Sequence, residues 1–250
     1  VKANTLAENQ KAAAKSAKEF ARQFRAARDA VVQLDGVTLL SESGSKRFNL
    51  TYVLDAHGTI RATDAVQLSY QAFDTKAKAD AYAKNLQNIL GIASGGTVEL
   101  QQAAIRGAKT GIFDLKYQVG AWGKLSLIVV GQDMKDANFK SRAETLKYAQ
   151  ELRKEFGVAA GGVIELKNVT IPLVVAKEAA IQSKDVTALR GTANETLDLT
   201  FRVENDLRIR AAIIVDHKPA GLETRTAVIN YAEKLAMDFN AVPGAKIQLR

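Results

Sequence analysis

The feature that most constrains this chain is an internal repeat, the signature to look for before any local reading. Three segments align without a gap: YAKNLQNILGIASGGTVEL from Tyr82 to Leu100, YAQELRKEFGVAAGGVIEL from Tyr148 to Leu166, and YAEKLAMDFNAVPGAKIQL from Tyr231 to Leu249. The Tyr-to-Leu spacing is 18 in every copy. In each, a large apolar residue follows the Tyr by four and by eight: Leu86 and Leu90, Leu152 and Phe156, Leu235 and Phe239. That spacing puts the three side chains on one helix face. Gly91, Gly157 and Asn240 come next, residue types that accept the left-handed backbone closing a helix. A turn of small residues leads into an alternating strand: Thr97-Val98-Glu99-Leu100, Val163-Ile164-Glu165-Leu166, Lys246-Ile247-Gln248-Leu249.

The match continues upstream. FNLTYV from Phe48, FDLKYQV from Phe113 and LDLTFRV from Leu197 alternate apolar and polar residues, the period of a half-buried strand. Their central leucines, Leu50, Leu115 and Leu199, precede the helix Tyr by 32, 33 and 32 residues. Turn residues follow each, at Asp55–Gly58, Gly120–Gly123 and Glu204–Asp206, and then a returning strand, which makes a hairpin. An opening strand is expected at Val37–Leu40, Gln102–Ile105 and Val186–Leu189. The closing strand of the first copy runs straight into the opening strand of the second.

The expected fold is therefore α+β: three tandem β-β-β-α-β units, antiparallel sheets backed by helices, with an N-terminal helical arm. The divisions are an arm at 1–35, units at 36–105, 106–171 and 186–250, and a connecting insertion at 172–185. Within Ile171–Lys184 the insertion adds a strand and a helical turn. The arm, rich in Ala, Lys, Gln and Glu, reads as one helix from Thr5 to Leu34 lying outside the repeat. Its apolar stripe is Phe20, Phe24, Ala27 and Val31. Residues 1–35 hold seven Lys/Arg against four Asp/Glu, and the whole chain carries a formal +8. Lys11, Lys15, Lys18, Arg22, Arg25 and Arg28 are the candidate contacts to a polyanion or a neighbouring subunit.

Chemistry is scarce. With no cysteine, thiolate metal sites, disulfides and cysteine nucleophiles are excluded. The two histidines stand in unrelated settings, His57 in a hairpin turn and His217 in a loop. Arg106–Gly111 lacks the Gly-Lys-Ser/Thr order of a phosphate loop. The Asn-x-Thr triplets at Asn49, Asn168 and Asn194 are glycosylation acceptors by pattern only. Neither a catalytic set, a cofactor nor a metal is expected. No apolar run reaches the length of a membrane span. The units share apolar residues and turn glycines and differ in their charged residues, as repeated scaffolding does.

A strand hairpin followed by a helix is loosely similar to small phage coat and tube proteins. The expectation is a non-enzymatic, self-associating structural protein. It would be a phage or viral particle component of capsid, decoration or tail-tube type, assembling in the cytoplasm and carried in the virion. Its partners would be copies of itself or other structural subunits, with no membrane. The alternative is a nucleic-acid-binding protein using the basic arm and the basic strand faces at Arg202, Arg208 and Arg210.

Overall fold

The structure, a computed structural model, describes residues 6–41, 44–55, 57, 59–106, 110–135, 137–172, 194–217 and 224–250. The fold is mixed α/β. The expected strand at Val186–Leu189, and the insertion beyond Pro172, lie outside the described residues.

Eleven strands and four helices are described. In chain order they are α1 Leu6–Gln23, β1 Val31–Ser41, β2 Gly44–Leu54, β3 Ile60–Gln67, β4 Gln71–Phe73, α2 Lys76–Leu90, β5 Thr97–Ile105, β6 Gly111–Val119, β7 Leu125–Asp133, α3 Arg142–Phe156, β8 Val163–Pro172, β9 Asn194–Val203, β10 Ile209–Asp216, α4 Arg225–Asp238 and β11 Lys246–Leu249. The chain divides into two compact units, one of Val1–Val130 with Glu155–Val158, the other of Gly131–Lys154 with Ala159–Arg250. The division runs through β7 and α3.

In the first unit the strand order is β1-β2-β3-β5-β6-β7, with β4 beside β5. In the second it is β8-β9-β10-β11. Hairpin strands pair antiparallel, as expected. Within its own repeat the closing strand does not: β5 runs parallel to β3 and β11 parallel to β10, while β5 pairs antiparallel with β6 of the next hairpin. A helix crossing one face of a sheet returns the chain in the direction it left, so strand–helix–strand pairs are parallel. The mixed sheet follows from the repeat's own order.

Every repeat helix starts on a hydroxyl cap seven residues before its Tyr. Thr75 accepts the Lys78 N–H (3.3 Å), Ser141 that of Glu144 (3.2 Å) and Thr224 that of Ala227 (3.1 Å). Gly91, Gly157 and Asn240 take left-handed φ of 66°, 62° and 49°, nine residues after the Tyr. Gly95, Gly161 and Gly244 take φ of 86°, 82° and 79° in the turn before the closing strand. In the first unit the core is Phe48, Leu50 and Tyr52, Val98 and Leu100, and Phe113 and Leu115, under Leu86, Leu90 and Phe156. In the second it is Ile164, Leu166, Leu197, Leu199 and Phe201 with Leu152, Leu235 and Phe239. Alternate strand positions between these, such as Thr51, Glu99, Lys116 and Thr200, are part-exposed and polar. One sheet face is thus packed on helices and the other solvated.

The N-terminal segment departs from its expected form. The helix ends at Gln23, and Val31–Leu34 belongs to β1, paired with β2 from Val53 to Leu50. β-branched Val31 and Val32 favour a strand. The stop is made by Arg25 at φ 47°, with Arg25 N–H donating to Arg22 O and Ala26 N–H to Ala21 O. That is the Schellman closure seen after α2, where Gly91 bonds Asn88 O and Ile92 bonds Gln87 O, and after α4 at Asn240 and Ala241.

Nor does this segment lie outside the repeat. Shifted by 66 residues, Arg25 falls on Gly91, Asp29 (φ 62°) on Gly95, and Val31–Leu34 on Thr97–Leu100. The hydrogen bonds agree: Asp29 N–H to Leu54 O matches Gly95 N–H to Val119 O, and Ala30 N–H to Ala27 O matches Gly96 N–H to Ala93 O. α1 with the start of β1 is a fourth copy of the helix–turn–strand, one with no hairpin before it among the described residues.

Candidate functional site

Three polar devices recur at matched positions, which the expectation of divergent polar chemistry missed. The first is a bulge in each strand that closes one repeat and opens the next. Gly36, Gln102 and Asn168 take φ of 64°, 55° and 55° where the register shifts. Each bulged N–H donates to the side chain just before the central Leu: Gly36 to Asn49 Oδ1 (2.8 Å), Gln102 to Asp114 Oδ1 (3.0 Å), Asn168 to Asp198 Oδ1 (2.8 Å). The triplet asparagines Asn49 and Asn168 are thus engaged within strands, Asn168 also donating from Nδ2 to Asp133 (2.9 Å). The second device is the helix cap. The third is the repeat Tyr hydroxyl, which donates to Gln67 (2.6 Å), Gln132 (2.7 Å) and Asp216 (2.5 Å), on the returning strands β3, β7 and β10.

At the third copy this last device grows into a charged cluster. Arg142, at the start of α3, forks onto Glu195 of β9: Nε donates to Oε2 at 3.1 Å and Nη2 to Oε1. Its Nη1 reaches Asp238 at the end of α4. The guanidinium lies 6.0 Å from the ring centroids of both Tyr231 and Phe239. Glu195 and Asp216 are buried. The Tyr231 hydroxyl sits between them, 3.2 Å from Glu195 and 2.5 Å from Asp216. Burial first, then the bond to Asp216 and the charges of Glu195 and Asp216, push its pKa above the ordinary tyrosine range, against the pull of Arg142. A buried fork of this kind fixes the placing of α3, β9 and α4 more than it adds stability. Nothing in local sequence spacing announces it, because its members lie 53 and 43 residues apart.

The sequence-derived candidates fall as follows. Lys11, Lys15, Lys18 and Arg22 form one exposed stripe on α1, at i, i+4, i+7 and i+11. Arg25 is the exposed helix-closing residue, and Arg28 is exposed in the turn. The helix face that packs is Ala13, Ala17 and Ala21, all buried. Phe20 and Phe24, of the arm's apolar stripe, are 50% and 77% exposed and stack on each other at 6.2 Å. With exposed Val31 they border a groove of about 320 Å³ lined also by Val32, Gln33 and Leu34 of β1. Arg202 is exposed, Arg208 pairs with Asp206 (3.6 Å), and Arg210 donates to Asn240 O and Ala241 O, so it serves the end of α4. His57 donates its backbone N–H to Asp55, whose carboxyl the N–H of Thr59 foremost holds below the usual range. His217 Nε2 lies 2.8 Å from Asp198, the residue that also accepts the Asn168 bulge. Among the described residues no three His, Cys, Asp or Glu gather as metal ligands, and no helix is long and apolar enough to cross a membrane. Comparison with family models, with curated proteins and with solved structures finds no match to this chain.

Proposed function

We propose that this protein is a non-enzymatic structural subunit that associates with copies of itself, as a phage or viral particle component of capsid, decoration or tail-tube type does. The observation that carries the reading is the uncovered apolar edge at Phe20, Phe24 and Val31 beside β1. Exposed apolar residues gathered at a strand edge that has no partner among the described residues mark an association surface, since such edges are otherwise blunted by charge or proline. Support also comes from the recurring polar groups: caps, bulge acceptors and tyrosine partners all serve backbone and packing. Sedimentation and native mass measurement of the full chain test it. Species well above the 27.0 kDa subunit are expected. A monomer across the accessible concentration range would refute it.

A second reading is favoured by the stripe Lys11, Lys15, Lys18 and Arg22: contact with nucleic acid. Its mark is salt dependence. Affinity for a polyanion falls steeply as salt rises, in proportion to the phosphates engaged, whereas an apolar subunit contact does not weaken.

A further inference from the structure

We propose that the first compact unit binds single-stranded nucleic acid at one end of its sheet, with Trp122 as the ring on which an unpaired base stacks. The proposal rests on the nucleic-acid reading above and gives it a ligand class and an aromatic contact.

Trp122 is the chain's only tryptophan and is fully exposed. Its backbone is left-handed, at φ 60° and ψ 20°, a region that bulky residues avoid. The turn that holds it is nonetheless fixed. Gly120 N–H donates to Lys124 O (2.7 Å), Ser94 Oγ to Gly120 O (3.2 Å), and Lys84 Nζ of α2 to Gly123 O (2.5 Å). The last bond has a counterpart at the third hairpin, where Gln150 of α3 donates to Leu207 O (3.3 Å). The frame recurs, but the residue it presents does not: Asp206 stands at the place of Trp122. Backbone strain kept at one exposed aromatic, on a turn held from both sides, points to a contact made there.

The surroundings give the chemistry of that contact. Four turns meet at this end of the unit: those after α1 and α2, and the hairpin turns β2–β3 and β6–β7. Asp29 N–H donates to Leu54 O, Ala93 N–H to Ala62 O and Gly95 N–H to Val119 O, which ties them together. Exposed Arg25, Arg28, Arg61 and Lys124, with part-exposed Lys84, stand in or beside these turns, against Asp29 and Asp55. The basic stripe of α1 belongs to the same end. Gln10 Nε2 donates to Leu90 O at the close of α2 (3.4 Å), and the other end of α1 leads into the turn that Asp29 fastens to β2. Lys11, Lys15, Lys18 and Arg22 lie between these two points. A track of cations follows a phosphate backbone, and an open ring offers a base its face; together they make the two parts of a single-strand site. A duplex keeps its base faces inside the stack, so the ring selects the unpaired strand. The neighbours of Trp122 in the tip are Gly120, Ala121, Gly123 and Lys124. They leave the indole faces clear, and they lack the further large apolar side chains that a lipid or protein contact uses.

The lone tryptophan is its own probe. Titrating an oligothymidylate of about 15 residues into the full chain at low salt should quench the Trp122 emission to saturation. Affinity should fall steeply as salt rises. Trp122→Ala, followed by the anisotropy of a labelled oligonucleotide, should bind ~10-fold more weakly, and Trp122→Phe should keep most of the affinity. Because the ring is fully exposed, circular dichroism and melting of both variants should match the parent. Salt-dependent binding that Trp122→Ala leaves unchanged would overturn the stacking role and leave the basic stripe as the contact. Dextran sulfate binding as tightly as the oligonucleotide would reduce the site to charge alone, and a duplex binding as tightly would remove the single-strand assignment; either overturns the proposal. So does an emission shift produced by phosphatidylserine vesicles and not by the oligonucleotide, which would make the tip a lipid contact. An oligonucleotide that fails to bind even at low salt would overturn both the proposal and the nucleic-acid reading.

Discussion

α1 and α2 are built by the same local rules and meet opposite fates. Both end in a left-handed residue with the same pair of closing hydrogen bonds, and both feed a turn into a bulged strand. Leu86 and Leu90 of α2 are 1% exposed, while Phe20 and Phe24, at the same places in α1, are 50% and 77% exposed. The larger residues are the uncovered ones. Backbone geometry is therefore written locally, but burial is conferred by what lies beside the helix. α2 packs against β5, β4 and α1, and nothing among the described residues covers Phe20 and Phe24 of α1.

That contrast can be broken by mutation. Leu86→Ala should cost about 2–5 kcal/mol, as should Leu152→Ala and Leu235→Ala, because each leaves a cavity in a packed core. Phe20→Ala and Phe24→Ala should change the melting of the isolated subunit little and alter its association instead. Denaturant titration beside sedimentation separates the two; a large loss of stability from Phe20→Ala in monomer would erase the contrast. Asn49→Ala and Asp114→Ala should each cost ~1–2 kcal/mol by stranding the bulged N–H of Gly36 or Gln102, measured the same way. Equal effects at both would show the bulge device to be as strong at β1 as at β5.

Alkaline pH sharpens the comparison from the side of the buried tyrosines. Burial pushes Tyr52 and Tyr82 up to about 12, against about 10 in an unfolded chain. Their contribution is fully present below pH of about 10, since folding then costs no proton. It is lost as pH rises towards about 12, because the unfolded chain ionises first. Tyr82→Phe should flatten that fall in denaturant melts; α1, with Ser16 at the matching place, adds nothing to it. The smallest effect is at the helix ends. Arg25→Gly should stabilise by up to ~1 kcal/mol by relieving a left-handed backbone, and Gly91→Arg should cost a similar amount. No change at either would mean the two ends are not equivalent.

Much of this was legible beforehand. The three hairpins, the helices on Tyr82, Tyr148 and Tyr231, the core leucines and the fused closing and opening strands follow from spacing alone. The fourth copy was legible too, and passed over: Ser16, Phe20, Phe24 and Leu34 keep the 18-residue frame. Arg25 and Asp29 hide it, because they hold left-handed positions that a reader assigns to glycine or asparagine. The same omission stretched the helix through Val31–Leu34. The Tyr partners Gln67, Gln132 and Asp216 stand 15, 16 and 15 residues upstream, visible once copies are aligned. The fork of Arg142 onto Glu195 and Asp238 was not legible, since it depends on separate elements meeting and obeys no period. The basic stripe was readable as a stripe; that alanines fasten the opposite face of α1 was not, because alanine marks helices without saying which side they bury.

The bulged strands also say how such a chain can change length. In β5, Thr97–Leu100 completes one repeat and Ala103–Ile105 begins the next, with Gln102 as the seam. Asn168 is the same seam in β8. Removing residues 102–167 would join Gln101 to Asn168, one half-strand to another, and Asp198 would still accept the Asn168 N–H. No loop need be redesigned, because the splice falls inside an element. Recombination within a strand, at a residue already set apart by its backbone, adds or deletes a whole period without leaving a ragged end. The number of periods is then a property of the gene's history, while the fold of each period stays as it was.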